Sequence, residues 1–561
     1  MDIKSLREKM ADAGVGAYVV THGNHFLGQD ILQCENKLQK LTGFSGSSGI
    51  LLITEDEAFL LVDGRYELQA REETDAKLIT VVDALPRLKN ICDILIDKNI
   101  GAVGYNAWWH SVAEMEFIRR KYDKINFKDV GDWLGLADEH SVEILNRGVE
   151  FAGKCTAEKI AEVVAEIERR NADYYLLTSA DSVSWLLNIY ACDLPYSPVV
   201  RTWAAVDKEG KVKLYGDNLH QEGDVSGCLD LAAFLQSAAD SKILYDPHTT
   251  PEALKVASSA RMIKTNDVCQ MLKAQKNSVE LQGMINCHIR DGVAVSKLLY
   301  WLEGNYENKS ELDVVDKLHQ LRSEQQYFFS ESFATIAAYG GNGAIVHYQP
   351  NRKTNAELRQ NGILLIDSGG QYLDGTTDIT RTVILGEPTD EMKHDFTTVL
   401  KAHIALAGAC FPEDTSGIKL DVLARSHLWQ NGDDYKHGTG HGVACFGNVH
   451  EGPISISSGG SELGFKENIV VSNEPGVYRQ NRYGIRIENL QYTAKADGKD
   501  GFLEFKYLTK VPIDKRLIDK YMLNSRELAW LNEYHREVYA SLAAFMDEPE
   551  KAWLKDACSP L

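Results

Sequence analysis

The chain has 561 residues, too many for one hydrophobic core, since cores stop growing near roughly 250–300 residues, so two or three domains are expected. Hydrophobic residues make up 44% and charged residues 25%, an ordinary globular composition. The formal net charge of −21, from 81 acidic and 60 basic side chains, repels nucleic-acid phosphates and anionic lipid, and argues against both as partners.

The N-terminal stretch MDIKSLREKM lacks the apolar core of a secretion signal and reads as the start of an amphipathic helix. No uninterrupted apolar run approaches the roughly 18 residues of a membrane span. The ten cysteines form no CxxC pair and no zinc-finger spacing with histidine. Reduced, mostly buried thiols in a reducing, cytoplasmic compartment are therefore expected.

Residues 3–13 read as a helix and 15–20 and 49–53 as buried strands, with helical pieces at 36–41 and 112–120. The segment 156–170, TAEKIAEVVAEIERR, is an amphipathic helix. Thr156 is its expected cap, and Ile160, Val163, Val164 and Ile167 form its apolar stripe. A strand at 173–178 follows, repeating the opening helix-then-strand order, so two related α/β domains in tandem are predicted. A long helix over 277–302, with Met284, Val293 and Leu298 on its apolar face, belongs to a third region. After about residue 330 short strands alternate with glycine-rich turns. The C-terminal 45 residues read as helical, with Trp530, Leu531, Val538 and Leu542 at core spacing. The fold class is α/β (α+β), with domains at 1–147, 148–264 and 265–561.

The third region carries a candidate metal constellation. The apolar run 363–366 ends in Asp367, and the chain turns through glycines into a second strand starting at Asp378, so folding back brings the two carboxylates side by side. His441 sits in GTGHG, where flanking glycines permit close backbone approach. Glu474 ends the apolar strand 469–473. In GIRIEN, strand alternation puts Arg486 and Glu488 on one face and Ile485 and Ile487 on the other. A single loop carboxylate is usually just solvated, and a lone histidine near glycine usually just packs. Asp367 and Glu474 differ, because an unpaired charge at the end of an apolar strand is costly. Four carboxylates converging in a partly buried site need compensating cations, and two divalent ions supply four positive charges. An oxygen-rich set with one imidazole suits Mn, Co, Fe or Zn as a bridged pair better than a closed structural zinc site.

At these residues the chain closely resembles the aminopeptidases P, or Xaa-Pro aminopeptidases, of the pita-bread metallopeptidase family. The resembling segments are DSGGQYLDGTTDITRT (367–382), HGTGHGVACFGNVHEGP (437–453), NEPG (473–476) and GIRIEN (484–489), with GGNGAIVHY (340–348), TGFSGSSG (42–49) and DGRY (63–66) extending the similarity. It is most similar to the three-domain cytosolic type. The resemblance implies two N-terminal α/β domains of creatinase N-terminal type and a pita-bread catalytic domain with a C-terminal helical extension. It implies two metal ions per chain, with Mn2+ the family expectation. Asp367 would be a terminal ligand to one metal, Asp378 and Glu488 would bridge both, and His441 and Glu474 would complete the other metal's shell. Glu474 would also shuttle a proton to the leaving proline nitrogen. His347 and His450 would bind peptide and stabilise the tetrahedral intermediate, and His437 would line the same cavity. Arg65 would contact peptide, across a homodimer, and Arg486 would orient the glutamates; a structural ion pair is the alternative for both arginines. Peptides with proline second are the implied substrates. The chain departs from the pattern at Tyr190-Ala191, where relatives carry Arg-Gly, at Val477, where an aromatic is common, and at Ala444-Cys445. A prolidase, restricted to dipeptides, is the nearest alternative; a metal-free binding module and a creatinase-like hydrolase on the same fold are others.

Overall fold

The computed structural model describes all residues except 1, 29, 86, 136–141, 217–218 and 221–224. The chain forms two compact units. One comprises Met1–Gly148, Lys154–Leu194 and Pro198–Cys269; the other comprises Val149–Gly153, Pro195–Ser197 and Gln270–Leu561.

The first unit contains the same sheet twice. Its strands are β1 (Ala17–Thr21), β2 (Ile50–Thr54), β3 (Ala58–Val62), β4 (Thr80–Asp83), β5 (Ala102–Tyr105) and β6 (Asn126–Asp129), then β7 (Tyr174–Leu177), β8 (Trp203–Asp207), β9 (Val212–Tyr215), β10 (Val225–Ser226), β11 (Lys242–Tyr245) and β12 (Arg261–Lys264). The spatial orders are β4-β3-β2-β1-β5-β6 and β10-β9-β8-β7-β11-β12. Two pairs of neighbours in each sheet match in being antiparallel: β1 to β2 and β2 to β3, as β7 to β8 and β8 to β9. The remaining pairs are parallel in both sheets. The expected tandem α/β repeat is therefore present as a repeat of topology. The copies share packing: Phe26 and Val112 join Leu176, Trp203 and Tyr245 in one cluster. Buried Glu252 accepts a hydrogen bond from Tyr105 (2.6 Å) and pairs with Arg119.

One local expectation needs correction. The helix Thr156–Arg169 is capped by Cys155, whose N–H donates to Glu158, while the Thr156 hydroxyl instead donates to the Leu187 carbonyl. Val163 and Ile167 are buried as expected, but so is Lys159. Its ammonium donates to Trp185 O and Asn188 Oδ1 at 2.7 Å and lies over the Trp185 ring. A charge on the inner face of an apolar stripe was invisible to periodicity, because its acceptors come from residues 26 and 29 positions away.

The second unit opens with helix α1 (Ser278–Asn305). Asn277 caps it by accepting from the N–H groups of Val279 and Glu280, and Glu280 reciprocates to the Asn277 N–H. Met284, Val293 and Leu298 are buried on this helix. Helix α2 (Glu311–Ser323) follows. One antiparallel sheet joins Ile336–Tyr339, Gly362–Ser368 and Ile379–Leu385; a second runs in the order 410–412, 502–507, 489–495, 470–473, 440–442, 451–456. Helices α3 (Asp390–Ala407) and α4 (Ser525–Leu542) pack on the unit's main core, to which Leu400, Leu531, Val538 and Leu542 contribute.

Arg322 of α2 is wholly buried. It forks onto Asp291 of α1 (2.8 and 3.2 Å) and also donates to Gly369 O and Ser368 Oγ, both at 3.1 Å, pinning the turn that follows Asp367. Breaking such a buried pair by removing one partner costs about 3–5 kcal/mol. Arg322→Leu is expected to lose that much in denaturant unfolding, and Arg322→Leu combined with Asp291→Leu to recover part of it. A single variant as stable as the wild type would contradict this account of the turn.

Candidate metal centre

The strand Gly362–Ser368 places Asp367 opposite Ile336 on one neighbour and Thr380 on the other. Asp378 lies just before the strand Ile379–Leu385, and a short inner hairpin, Gly370–Tyr372 with Gly375–Thr376, fills the loop between the two aspartates. His441 is central in Gly440–Gly442. A Cβ on Gly440 would meet the Ser472 carbonyl at 2.0 Å, and one on Gly442 the Glu451 carbonyl at 2.2 Å, so glycines here let His441 lie tight between its neighbours. Glu474 follows the strand Val470–Asn473. Glu488 occupies the break between Tyr483–Arg486 and Asn489–Lys495. The expected facing holds across this break: Ile485 and Ile487 enter the apolar core while Arg486 and Glu488 turn to the site, although the strand ends at Arg486 and the chain changes sheet.

Hydrogen bonds fix how these groups face. The His441 Nδ1–H donates to its neighbour Gly442 O (3.0 Å), which turns Nε2 toward the carboxylates. That nitrogen lies 3.4 Å from Asp378 Oδ2 and 3.4 Å from Glu474 Oε1. Ligating atoms of Asp378, His441 and Glu488 lie within 4.8 Å of one another. Asp367 joins through Arg486, whose Nη2 donates to Asp367 Oδ2 at 2.5 Å. The other Asp367 oxygen and Glu488 Oε1 are buried without a hydrogen-bond partner. Acceptors facing acceptors, plus two orphaned carboxylate oxygens, fit a site built for cations and not a hydrogen-bonded polar core.

The electrostatics agree. Burial, then the charges of Asp367 and Glu474, raise the pKa of Asp378 well above the usual carboxylate range. Burial, then Asp378 and Glu474, do the same to Glu488. Burial raises Glu474 as well, against the opposing pull of His441 and Arg486. Without cations the site favours protonated carboxylates.

Several residues that hold the site were not singled out from sequence. Thr380 donates to Glu488 Oε2 (2.8 Å) and accepts from Arg486 Nε (3.1 Å). Its signal was present: it stands two residues from Asp378 on one strand. Ser472, two residues before Glu474, donates to Glu474 Oε1 (3.1 Å) and accepts the His441 N–H (2.9 Å). Tyr478 accepts from Arg486 Nη1 (2.7 Å), so its own hydroxyl proton points to His437 Nε2 (2.8 Å), while His437 Nδ1–H reaches Gly438 O (2.8 Å).

The remaining expected residues fall as follows. The exposed His450 ring stands perpendicular to His441 with centroids 4.3 Å apart. His347 is half-buried in the turn after Gly340–Ala344, next to Val346, whose carbonyl lies 3.5 Å from Arg486 Nη2. His437 is buried with both ring nitrogens engaged. Arg65 belongs to the first unit, where it forks onto Asp63 at 2.8 Å. Tyr190 and Ala191 are buried in the short strand Ile189–Ala191, and Val477 is buried in the second unit's main core.

The sign of the pH dependence follows from the raised carboxylates. Between the usual carboxylate range and their raised values, the metal-free native state holds more protons than the unfolded chain. Its stability therefore falls as pH rises through that window. Metal binding must expel those protons. The rise in Tm produced by Mn2+ over EDTA is expected to grow steadily from about pH 5 to pH 8, as read by differential scanning fluorimetry; a rise independent of pH would contradict it.

Known proteins match along the whole chain. Residues 282–494 match metallopeptidase family M24, and 501–561 its C-terminal region; 3–136 and 138–280 match the creatinase/prolidase N-terminal domain. A Laccaria bicolor protein named "Probable Xaa-Pro aminopeptidase P" is 35% identical over all of this chain and 93% of its own length. One of the same name from Talaromyces marneffei is 34% identical over 99% of this chain and 91% of its own. A crystal structure of X-prolyl aminopeptidase from Caenorhabditis elegans, described as a cytosolic enzyme with a di-nuclear active site, superposes with a TM-score of 0.92 at 31% identity, covering 98% of this chain and 95% of that one. With five buried or half-buried ligand-type side chains meeting at one place and relatives above 30% identity spanning its full length, the chain belongs to the M24 metallopeptidase family.

Proposed function

We propose that the chain is a metal-dependent aminopeptidase that releases the N-terminal residue from peptides with proline second. The observation that carries this reading is His441 Nε2 held 3.4 Å from both Asp378 and Glu474, beside two buried carboxylate oxygens that have no hydrogen-bond partner. Full-length relatives named Xaa-Pro aminopeptidase P and a neighbour with a di-nuclear centre support it. The duplicated first unit supports an aminopeptidase P over a prolidase, because those relatives match it along its whole length.

Asp367, Asp378, His441, Glu474 and Glu488 would hold two divalent cations. The oxygen-rich set with one imidazole suits Mn, Co, Fe or Zn, and the choice of Mn2+ among them rests on the family resemblance. When bound, such ions supply Lewis acidity toward the scissile carbonyl and acidify a water. The chain's own residues do the rest. Glu474, steadied by Ser472, takes the proton from the attacking water and passes it to the proline nitrogen as the C–N bond breaks. His450, exposed beside His441, donates to the oxyanion that develops on the carbonyl. His347 binds the peptide from the turn next to Arg486. Arg486 holds Asp367 and, through Tyr478, keeps His437 in its Nδ1–H tautomer. Proline has no N–H, so alignment of substrate by backbone hydrogen bonding to that residue is unavailable, and positioning falls to these histidines and the metal pair. Among the described residues no helix is long and apolar enough to cross a membrane, and a cytoplasmic location and a homodimer that brings Arg65 to a partner's site rest on the family resemblance.

Elemental analysis is expected to find two divalent ions per chain. An Xaa-Pro-Xaa tripeptide should be cut between the first two residues, with EDTA abolishing and Mn2+ restoring turnover. Cleavage of Xaa-Pro dipeptides alone would favour a prolidase. Glu474→Gln is expected to lower kcat by about 10²–10⁴; near-normal turnover in that variant would remove Glu474 from the proton path.

A further inference from the structure

Behind the site, a chain of buried side chains links the two strand ends that carry glutamates. Asn473 precedes Glu474, Asn489 follows Glu488, and the two asparagines are direct partners across the sheet. His403 of α3 is wholly buried and bonded to both: its Nδ1 lies 3.1 Å from Asn473 O and its Nε2 3.3 Å from Asn489 Nδ2, while its carbonyl accepts from Asn473 Nδ2 at 3.0 Å.

The direction of every bond follows from one group. Arg381 can only donate. Its Nη2 meets Asn489 at 2.8 Å, so the amide oxygen must face the arginine and the amide nitrogen must face His403. Nε2 of His403 is then an acceptor, its proton sits on Nδ1, and that proton goes to Asn473 O. Burial, and next the charge of Arg381, push the ring's pKa down to about 3, so it stays neutral. Arg381 also donates to Glu488 O (2.7 Å) and Thr380 O (2.9 Å), the backbone of two site residues. On its far side it donates to the Tyr534 hydroxyl (2.7 Å), which passes its own proton to Val511 O (2.8 Å). Tyr534 lies on α4.

We propose that Arg381, anchored by Tyr534 and acting through Asn489 and His403, positions the backbone of Glu474 and Glu488, so that the spacing of these two metal-site carboxylates is set by a polar brace extending into the C-terminal helix. The proposal rests on the metal-site reading above. None of these side chains touches substrate; each is a positioning residue. Such remote partners of ligands are worth 10–100-fold in metal affinity.

The test is Mn2+ titration of the full chain, with free ion followed by electron paramagnetic resonance, beside Tm measured with EDTA and with Mn2+. His403→Leu deletes both ring hydrogen bonds. It is expected to raise the dissociation constant of at least one Mn2+ by about 10–100-fold and to shrink the Mn2+-dependent rise in Tm. A merely structural role would lower Tm equally in both conditions. His403→Gln, which returns an amide acceptor near the Nε2 position, should recover part of the affinity. A leucine variant that binds both ions as the wild type does would overturn the proposal. Should that variant not fold, Tyr534→Phe, which removes one hydroxyl from the same chain, carries the test: a weaker Mn2+ affinity is expected, and an unchanged one overturns the brace. Failure of the wild type to bind Mn2+ would instead remove the metal-site reading itself.

Discussion

Negative charge gathered where water is scarce is the constraint around which the second unit is arranged. Four carboxylates converge with one imidazole and one guanidinium close by, and the guanidinium is committed to Asp367. Three of the four are driven toward their protonated forms by burial and by one another. A fold that places such groups together must either protonate them or carry compensating ions. The local scaffold follows from that demand. Ser472 and Thr380 each supply one hydroxyl to a glutamate while accepting from a neighbour, and Glu488 keeps a buried oxygen with no hydrogen-bond partner. The glycines around His441 remove side chains that would otherwise hold two strands apart.

Much of this was legible from residues alone, for identifiable reasons. Asp367 and Glu474 stand out because charges rarely terminate apolar strands without a purpose, and His441 because glycine on both sides signals close approach. The tandem α/β arrangement was legible because helix and strand order repeats. What could not be read were groups whose significance depends on partners far away in sequence. Lys159 looks like a polar residue on an amphipathic helix, yet its ammonium is buried against carbonyl and amide oxygens from another helix end. Arg381 looks like an outward-facing member of an alternating strand, yet it is wholly enclosed and bonded to residues more than a hundred positions away. Periodicity reports burial of apolar groups well and burial of satisfied polar groups hardly at all.

Full-length similarity and site geometry bear on different questions. Relatives of 31–35% identity establish the family and the order of its parts. They do not say how the groups within this chain are wired. The tautomers of His441, His437 and His403 follow instead from which neighbours can only accept and which can only donate, and each is fixed by a backbone carbonyl or an arginine within the same unit.

The repeat in the first unit has a consequence for how that unit behaves as a solid body. Two copies of one topology would ordinarily be separable modules, each closing over its own interior. Here Phe26 and Val112, which belong by sequence to the earlier copy, are built into the interior of the later one, and Glu252 of the later copy is held by Tyr105 and Arg119 of the earlier. The seam between duplicates is therefore interlocked: neither half can loosen without uncovering apolar surface or stranding a carboxylate in the other.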